Sequence, residues 1–331
     1  MHLPPRAAAR LVLALILFAP VLVGAAGTDA LRVDLVNETA SARLNARNRG
    51  PVPVQVRLWM TEMNNVVTDR IPPIDRVVAP FKSVDLLQVR PGDPRATYSY
   101  RYQYRTQIGD PDARPARDVV YRAPFENGLA FRIGQAFGGP LPTHDHDHSR
   151  YAVDIPMPVG TVIVAARGGY IVDVQRQYDS GGFDPEYISK ANVVTIFHDD
   201  GSFATYAHLL RYTSNVVPGQ HIDAGVPIGL SGNSGFSSGP HLHFVVQRNS
   251  RTGILSLPFR FESPSRGAFV PRSGDVLEAG PTASQASRPR RDSIVISDAA
   301  VASPKSHRTL RECMGGKSEI DRKVLDCAGI R

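Results

Sequence analysis

Apolar and polar residues alternate through most of the first third of the chain. Leu31, Val33 and Leu35 fall on one face of a strand, as do Val52, Val54, Val56 and Leu58, and Val84, Leu86 and Gln88 continue the series. Tyr98, Tyr100, Tyr102 and Tyr104 recur at period two, with Ser99, Arg101 and Gln103 between them. Turn signals at Arg49-Gly50-Pro51, Pro72-Pro73 and Pro91-Gly92 separate these runs. The pattern predicts an antiparallel β-sandwich of the immunoglobulin-like type over residues 27–122. The tyrosine stripe is read as a sheet face packing its own core, not as a platform for a ligand. Residues 111–124, where Asp, Arg and Pro interleave, read as a linker.

From residue 125 to about residue 270 the strand pattern continues in a second, compact antiparallel β domain. Apolar runs at 162–166 and 170–174 flank Gly168-Gly169, which predicts a hairpin turn there. Runs at 193–198 and 203–209 flank Asp199-Asp200-Gly201, a second hairpin. Between the two lies a polar stretch, residues 178–192, of the kind that walls a binding groove. The fold class is therefore mainly β: a sandwich, then a compact β domain, then a tail.

The ends of the chain read differently. Arg6 and Arg10 precede an apolar run at 11–23 and then Gly24, Ala25 and Ala26. A basic start, about 13 apolar residues and small residues at the exit describe a secretory signal peptide over residues 1–26. The run is shorter than the roughly 20 residues of a spanning helix, so no stable membrane anchor is expected. Residues 271–331 form a flexible tail rich in Ala, Ser, Pro and Arg, with Cys313 and Cys327, which an oxidising compartment would allow to pair. The expected location is the periplasm or outside the cell. Two cysteines in 331 residues exclude a disulfide-rich scaffold and a four-cysteine zinc site. The net charge of +7 suits contact with an acidic polymer without requiring nucleic acid.

The candidate chemistry sits on histidines in the middle domain. In Gly239-Pro240-His241-Leu242-His243-Phe244 a strand puts His241 and His243 on one face and Leu242 and Phe244 on the other. Two imidazoles about 6–7 Å apart along a strand can converge on one ion, or on an ion and its water. Asp154 stands inside the apolar run Tyr151-Ala152-Val153-Asp154-Ile155, where a carboxylate is costly unless it is paired or bound to metal. His208, in Tyr206-Ala207-His208-Leu209, reads as a third strand-borne histidine. Any one of them alone would be a structural histidine; together they point to a metal site.

These segments, with Pro158-Val159-Gly160-Thr161, Ala165-Ala166-Arg167-Gly168-Gly169 and Ser231-Gly232-Asn233-Ser234-Gly235, resemble the lysostaphin/LytM-like zinc metallopeptidases. The resemblance covers about 130 residues of the middle domain and implies a zinc-binding groove that hydrolyses peptide bonds of bacterial peptidoglycan. Carried over by position, it implies His144, Asp154 and His243 as zinc ligands. His241 would be the proton acceptor, and His208 the group that orients the water or stabilises the oxyanion. Many members place the first histidine four residues before the aspartate, and Arg150 stands there in this chain. The stretch Thr143-His144-Asp145-His146-Asp147-His148 offers three candidates. A longer-spaced variant with Ser or Thr before the histidine, after a Gly-rich approach like Gly138-Gly139, also resembles family members, and that resemblance points to His144 over His146 and His148.

Other chemistries fit less well. No phosphate-cradling Gly-x-Gly-x-x-Gly and no Gly-x-Ser-x-Gly elbow in a strand-turn-helix setting is present. The tail arginines lack interleaved aromatics, so no nucleic-acid partner is expected. The alternative reading is a catalytically silent LytM-like module that binds the wall and regulates other cell-wall hydrolases.

Overall fold

The computed structural model describes residues 30–137 and 144–281. Residues 1–26, expected to be a signal peptide, the Gly138-Gly139 approach, Thr143 and both cysteines lie outside the described residues.

Seven strands form the first domain: β1 (Leu31–Asn37), β2 (Ala42–Asn48), β3 (Val54–Asn64), β4 (Val66–Thr68), β5 (Ile74–Val78), β6 (Ser83–Pro91) and β7 (Ser99–Ile108). They make two antiparallel sheets, ordered β1-β2-β6-β4 and β5-β3-β7. Leu44, Ala46, Val54, Val56, Leu58, Leu87 and Val89 fill the space between them, with Tyr100, Tyr102 and Tyr104 packed against that core. Three of the four period-two tyrosines are thus core-facing, as the alternation predicts, while Tyr98 precedes β7 and stacks on Tyr100. Two positions depart from it. Val52 packs in a separate cluster with Val172, Phe197 and Phe203 of the second domain. Gln88 does not share the face of Leu86: a bulge shifts the β2–β6 register, Leu86 and Leu87 are both buried, and Val89 takes the inward place. The Gln88 amide instead reaches Glu38 and Ser41.

The second domain begins with β8 (Val120–Arg122), inside the stretch read as a linker, and β9 (Ala130–Arg132). Then come β10 (Val153–Pro156), β11 (Val162–Val164), β12 (Gly169–Gln175), β13 (Gly181–Gly182), β14 (Val193–Phe197) and β15 (Ser202–Ala207). β16 (His221–Ile222), β17 (Pro227–Leu230), β18 (Gly235–Phe236), β19 (His241–Ser250) and β20 (Gly253–Ser256) follow. β21 (Arg260–Ser263), β22 (Gly267–Phe269) and β23 (Val276–Glu278) complete it. The main sheet runs β10-β19-β15-β14-β12-β16, with β20 on β19. One face is apolar: Val194, Ile196, Ala204, Tyr206, Leu242 and Phe244 pack against Ile163, Ile228, Phe259, Phe261 and Leu277 from the smaller sheets. The Tyr206 hydroxyl, fully buried there, accepts a hydrogen bond from the Ala166 amide at 2.7 Å. The opposite face carries the histidines.

The hairpin predicted at Asp199-Asp200-Gly201 is present, joining β14 to β15 with Gly201 at φ 85°. The one predicted at Gly168-Gly169 is not. β11 pairs with β17, while β12 pairs with β14 and β16, so the two runs belong to different sheets. Gly169 serves close approach instead of turning, since a Cβ there would run into the Phe197 carbonyl oxygen.

The two domains meet at the far end of β19. Asn249, fully buried, donates through Nδ2 to Gln55 Oε1 and to the Gly109 carbonyl, both at 2.9 Å, and accepts from Gln107 Nε2. A buried amide with its donors and acceptor satisfied fixes one docking geometry.

Candidate active site

Strand pairing sets the centre. β10 and β19 run antiparallel with Asp154 opposite His243 and Ile155 opposite Leu242. Val153, Ile155, Leu242 and Phe244 are fully buried in the core, and alternation therefore turns Asp154, His241 and His243 to the other face. Asp154 Oδ1 lies 2.8 Å from His243 Nδ1 and 3.8 Å from His241 Nε2, and Oδ2 lies 3.5 Å from His144 Nε2. Burial alone would push the Asp154 carboxyl up, but the hydrogen bond from His243 and the three surrounding imidazoles hold it below the usual carboxylate range. Burial likewise pushes the His144 imidazole down, keeping a nitrogen lone pair available.

His144, Asp154 and His243 each offer one donor atom, and these atoms lie within 4.8 Å of one another. Zinc bonds of 2.0–2.2 Å in a tetrahedron put neighbouring donors about 3.4 Å apart, close to the His144–Asp154 separation. Two imidazoles and a carboxylate, with no thiolate, are a donor set that suits zinc and leaves its fourth position open. The residues present therefore fit that ion.

The three histidines at 144, 146 and 148 are separated by a turn, not a strand. The Ser149 and Arg150 amides donate to the His146 carbonyl. The exposed rings of His146 and His148 stack on each other, 5.5 Å apart and 6° from parallel, and only His144 is set against Asp154. Arg150 is exposed, with its guanidinium 3.4 Å from Asp147.

His208 and His241 stand beside this trio, their ring centroids 4.5 Å apart and that of His208 5.9 Å from that of His243. His208 is not within a strand: β15 ends at Ala207, and His208 takes the left-handed conformation at φ 65°. That conformation costs an L-residue about 1 kcal/mol, and residues held in it cluster at functional sites. Its Nδ1 lies 2.7 Å from the Ser234 carbonyl oxygen, and His241 Nδ1 lies 2.7 Å from the Gly239 carbonyl oxygen. A carbonyl only accepts, so both rings carry their proton on Nδ1 and present an Nε2 lone pair. Burial, with the neighbouring His241 and His243, pushes His208 down to about 4, so it is neutral at neutral pH.

Sequence reasoning left out the residues that hold these carbonyls in place. Asn192, fully buried, donates to the Tyr178 and Leu209 carbonyls and accepts from the Tyr178 amide. Ser234 Oγ donates to the Leu209 carbonyl and accepts from the Asn192 amide, and Ser237 Oγ lies 3.2 Å from His241 Nδ1. A polar side chain set directly before a buried strand, as Asn192 is before Val193, is the signal that marks it.

Residues 148–253 match the family model for Peptidase family M23. Lysostaphin of Staphylococcus simulans is 35% identical over 113 residues, covering 34% of this chain and 21% of lysostaphin. The glycyl-glycine endopeptidase ALE-1 of Staphylococcus capitis is also 35% identical over 113 residues, covering 34% of this chain and 28% of ALE-1. The peptidoglycan DD-endopeptidase ShyA of Vibrio cholerae is 35% identical over 93 residues, covering 28% of this chain and 19% of ShyA. The chain spans 19% to 28% of the length of these relatives. Residues 148–253 thus match peptidase family M23, and over 113 residues the chain is similar to lysostaphin and ALE-1.

Proposed function

We propose that the chain is an exported zinc endopeptidase that hydrolyses peptide bonds in bacterial peptidoglycan. The observation that carries this reading is the convergence of His144, Asp154 and His243 beside two imidazoles whose Nδ1 atoms are anchored on carbonyl groups. His144, Asp154 and His243 would hold the ion. Zinc bound there supplies a Lewis acid for the scissile carbonyl and a water that is nucleophilic at neutral pH.

His241 takes the proton of the attacking water on Nε2 and returns it to the leaving amide nitrogen, as a neutral imidazole with a free lone pair can. Of the two roles open to His208, the structure supports orienting the water. Its Nε2 is an acceptor as long as Nδ1 donates to Ser234, and donation to an oxyanion would require a second proton that burial opposes. The leader-like residues 1–26 support export, and the names of ALE-1 and ShyA support a cell-wall peptide as substrate. Nothing at the centre favours a silent module, since every donor position is filled.

The test is release of soluble fragments with new amino termini from purified peptidoglycan by the mature protein. A chelator should abolish the release, zinc should restore it, and His243→Ala should lack it. One equivalent of bound zinc without new amino termini from any wall preparation would overturn the reading.

A further inference from the structure

The loop of residues 178–192 and the turn before β19 are stitched together by backbone. β13 and β18 pair in parallel, Gly181 with Gly235 and Gly182 with Phe236. The chains approach so closely that a Cβ on Gly181 would run into the Asn233 carbonyl oxygen, and Gly235 sits at φ 81° against Ala191. This contact brings together Phe183 and Phe236, whose ring centroids lie 4.7 Å apart. Both rings face solvent, with exposures of 75% and 38%, and Ile188 of the same loop is 69% exposed.

The position of this pair gives it a use. Phe236 lies between Ser234, whose carbonyl orients His208, and Ser237, whose hydroxyl touches His241. Successive Cα atoms are about 3.8 Å apart, so the shelf begins within two residue steps of both supports of the reacting centre. Large apolar side chains grouped on a surface mark a binding site, whereas scattered ones need no explanation.

We infer that Phe183 and Phe236 form a shelf for an aliphatic side chain on the substrate residue next to the cleaved bond. The inference rests on the endopeptidase reading and narrows it: the preferred substrate carries alkyl groups there, and a run of glycines, which offers no side chain, gains nothing from the two rings. Burying two methylene-sized groups corresponds to about a tenfold preference.

The test compares kcat/KM on two substrates, a D-alanyl cross-linked peptide bearing a diamino acid and a pentaglycine peptide. The intact mature protein should favour the D-alanyl peptide. Phe183→Ala and Phe236→Ala should each lower the ratio of the two values about fourfold and the double variant about tenfold, and Phe236→Leu, which keeps an apolar surface, should retain most of it. A wild-type preference for pentaglycine, or a ratio that neither alanine variant moves, would overturn the inference. Cleavage of neither peptide would sink the endopeptidase reading instead. The shelf would then be judged by calorimetric binding of the D-alanyl peptide, where Phe183→Ala should weaken the Kd about fourfold and an unchanged Kd overturns it.

Discussion

Asp154 and His243 are direct cross-strand partners in β10 and β19, and their side chains meet at 2.8 Å. Both positions are set by a ladder of backbone hydrogen bonds and not by a loop, support that would hold a ligand pair to the tolerance that metal binding demands.

Asp154→Asn preserves shape but removes the charge. It should lower zinc affinity at least about a hundredfold while leaving the β spectrum by circular dichroism intact. An unchanged zinc stoichiometry by elemental analysis would remove Asp154 from the ligand set.

The three neighbouring histidines should separate cleanly. His144→Ala should lose the bound ion, whereas His146→Ala and His148→Ala should keep one equivalent, because only the first is set against Asp154. Metal loss in the His148 variant alone would show that the turn is arranged differently when the ion is bound.

His241→Ala and His208→Ala should retain zinc and lose turnover, by roughly 10²–10⁴-fold for the proton acceptor. The informative reading is the pair of measurements. Metal content that falls together with turnover would make either residue a ligand.

Stability should depend on a histidine remote from the centre. His198 is fully buried, its Nδ1 2.9 Å from the Gly168 carbonyl and its Nε2 without a hydrogen-bond partner among the described residues. Burial, with the nearby Arg167, pushes it down from 6.5 to about 4. The unfolded chain therefore binds the proton first. The stability is complete above pH 6.5, falls as the pH drops toward 4, and loses nothing more from this group below that. The linkage amounts to about 2–3 kcal/mol between pH 7 and pH 4.5. Denaturant melts at the two pH values should show it, and His198→Asn should flatten the difference. An equal acid loss in that variant would assign the effect elsewhere.

Much of this site is legible in the alternation around β19, because a period of two that buries Leu242 and Phe244 obliges His241 and His243 to share the other face. Asp154 is legible for the same reason. His208 is legible as a member of the site but not in its conformation, since nothing in Ala207-His208-Leu209 announces a left-handed residue just past a strand end. Gly168-Gly169 misleads because a glycine needed for close approach has the same letter as one needed for a turn. Gln88 misleads because one extra residue in a bulge reverses every face beyond it. The pairing of β13 with β18 joins residues more than fifty positions apart, and no local pattern encodes it.

The backbone at position 208 is one that glycine adopts without strain. A glycine there would recover about 1 kcal/mol of backbone cost and forfeit the hydrogen bond to the Ser234 carbonyl and the packing on His241. The imidazole is therefore kept in place by its neighbours, against the preference of its own main chain.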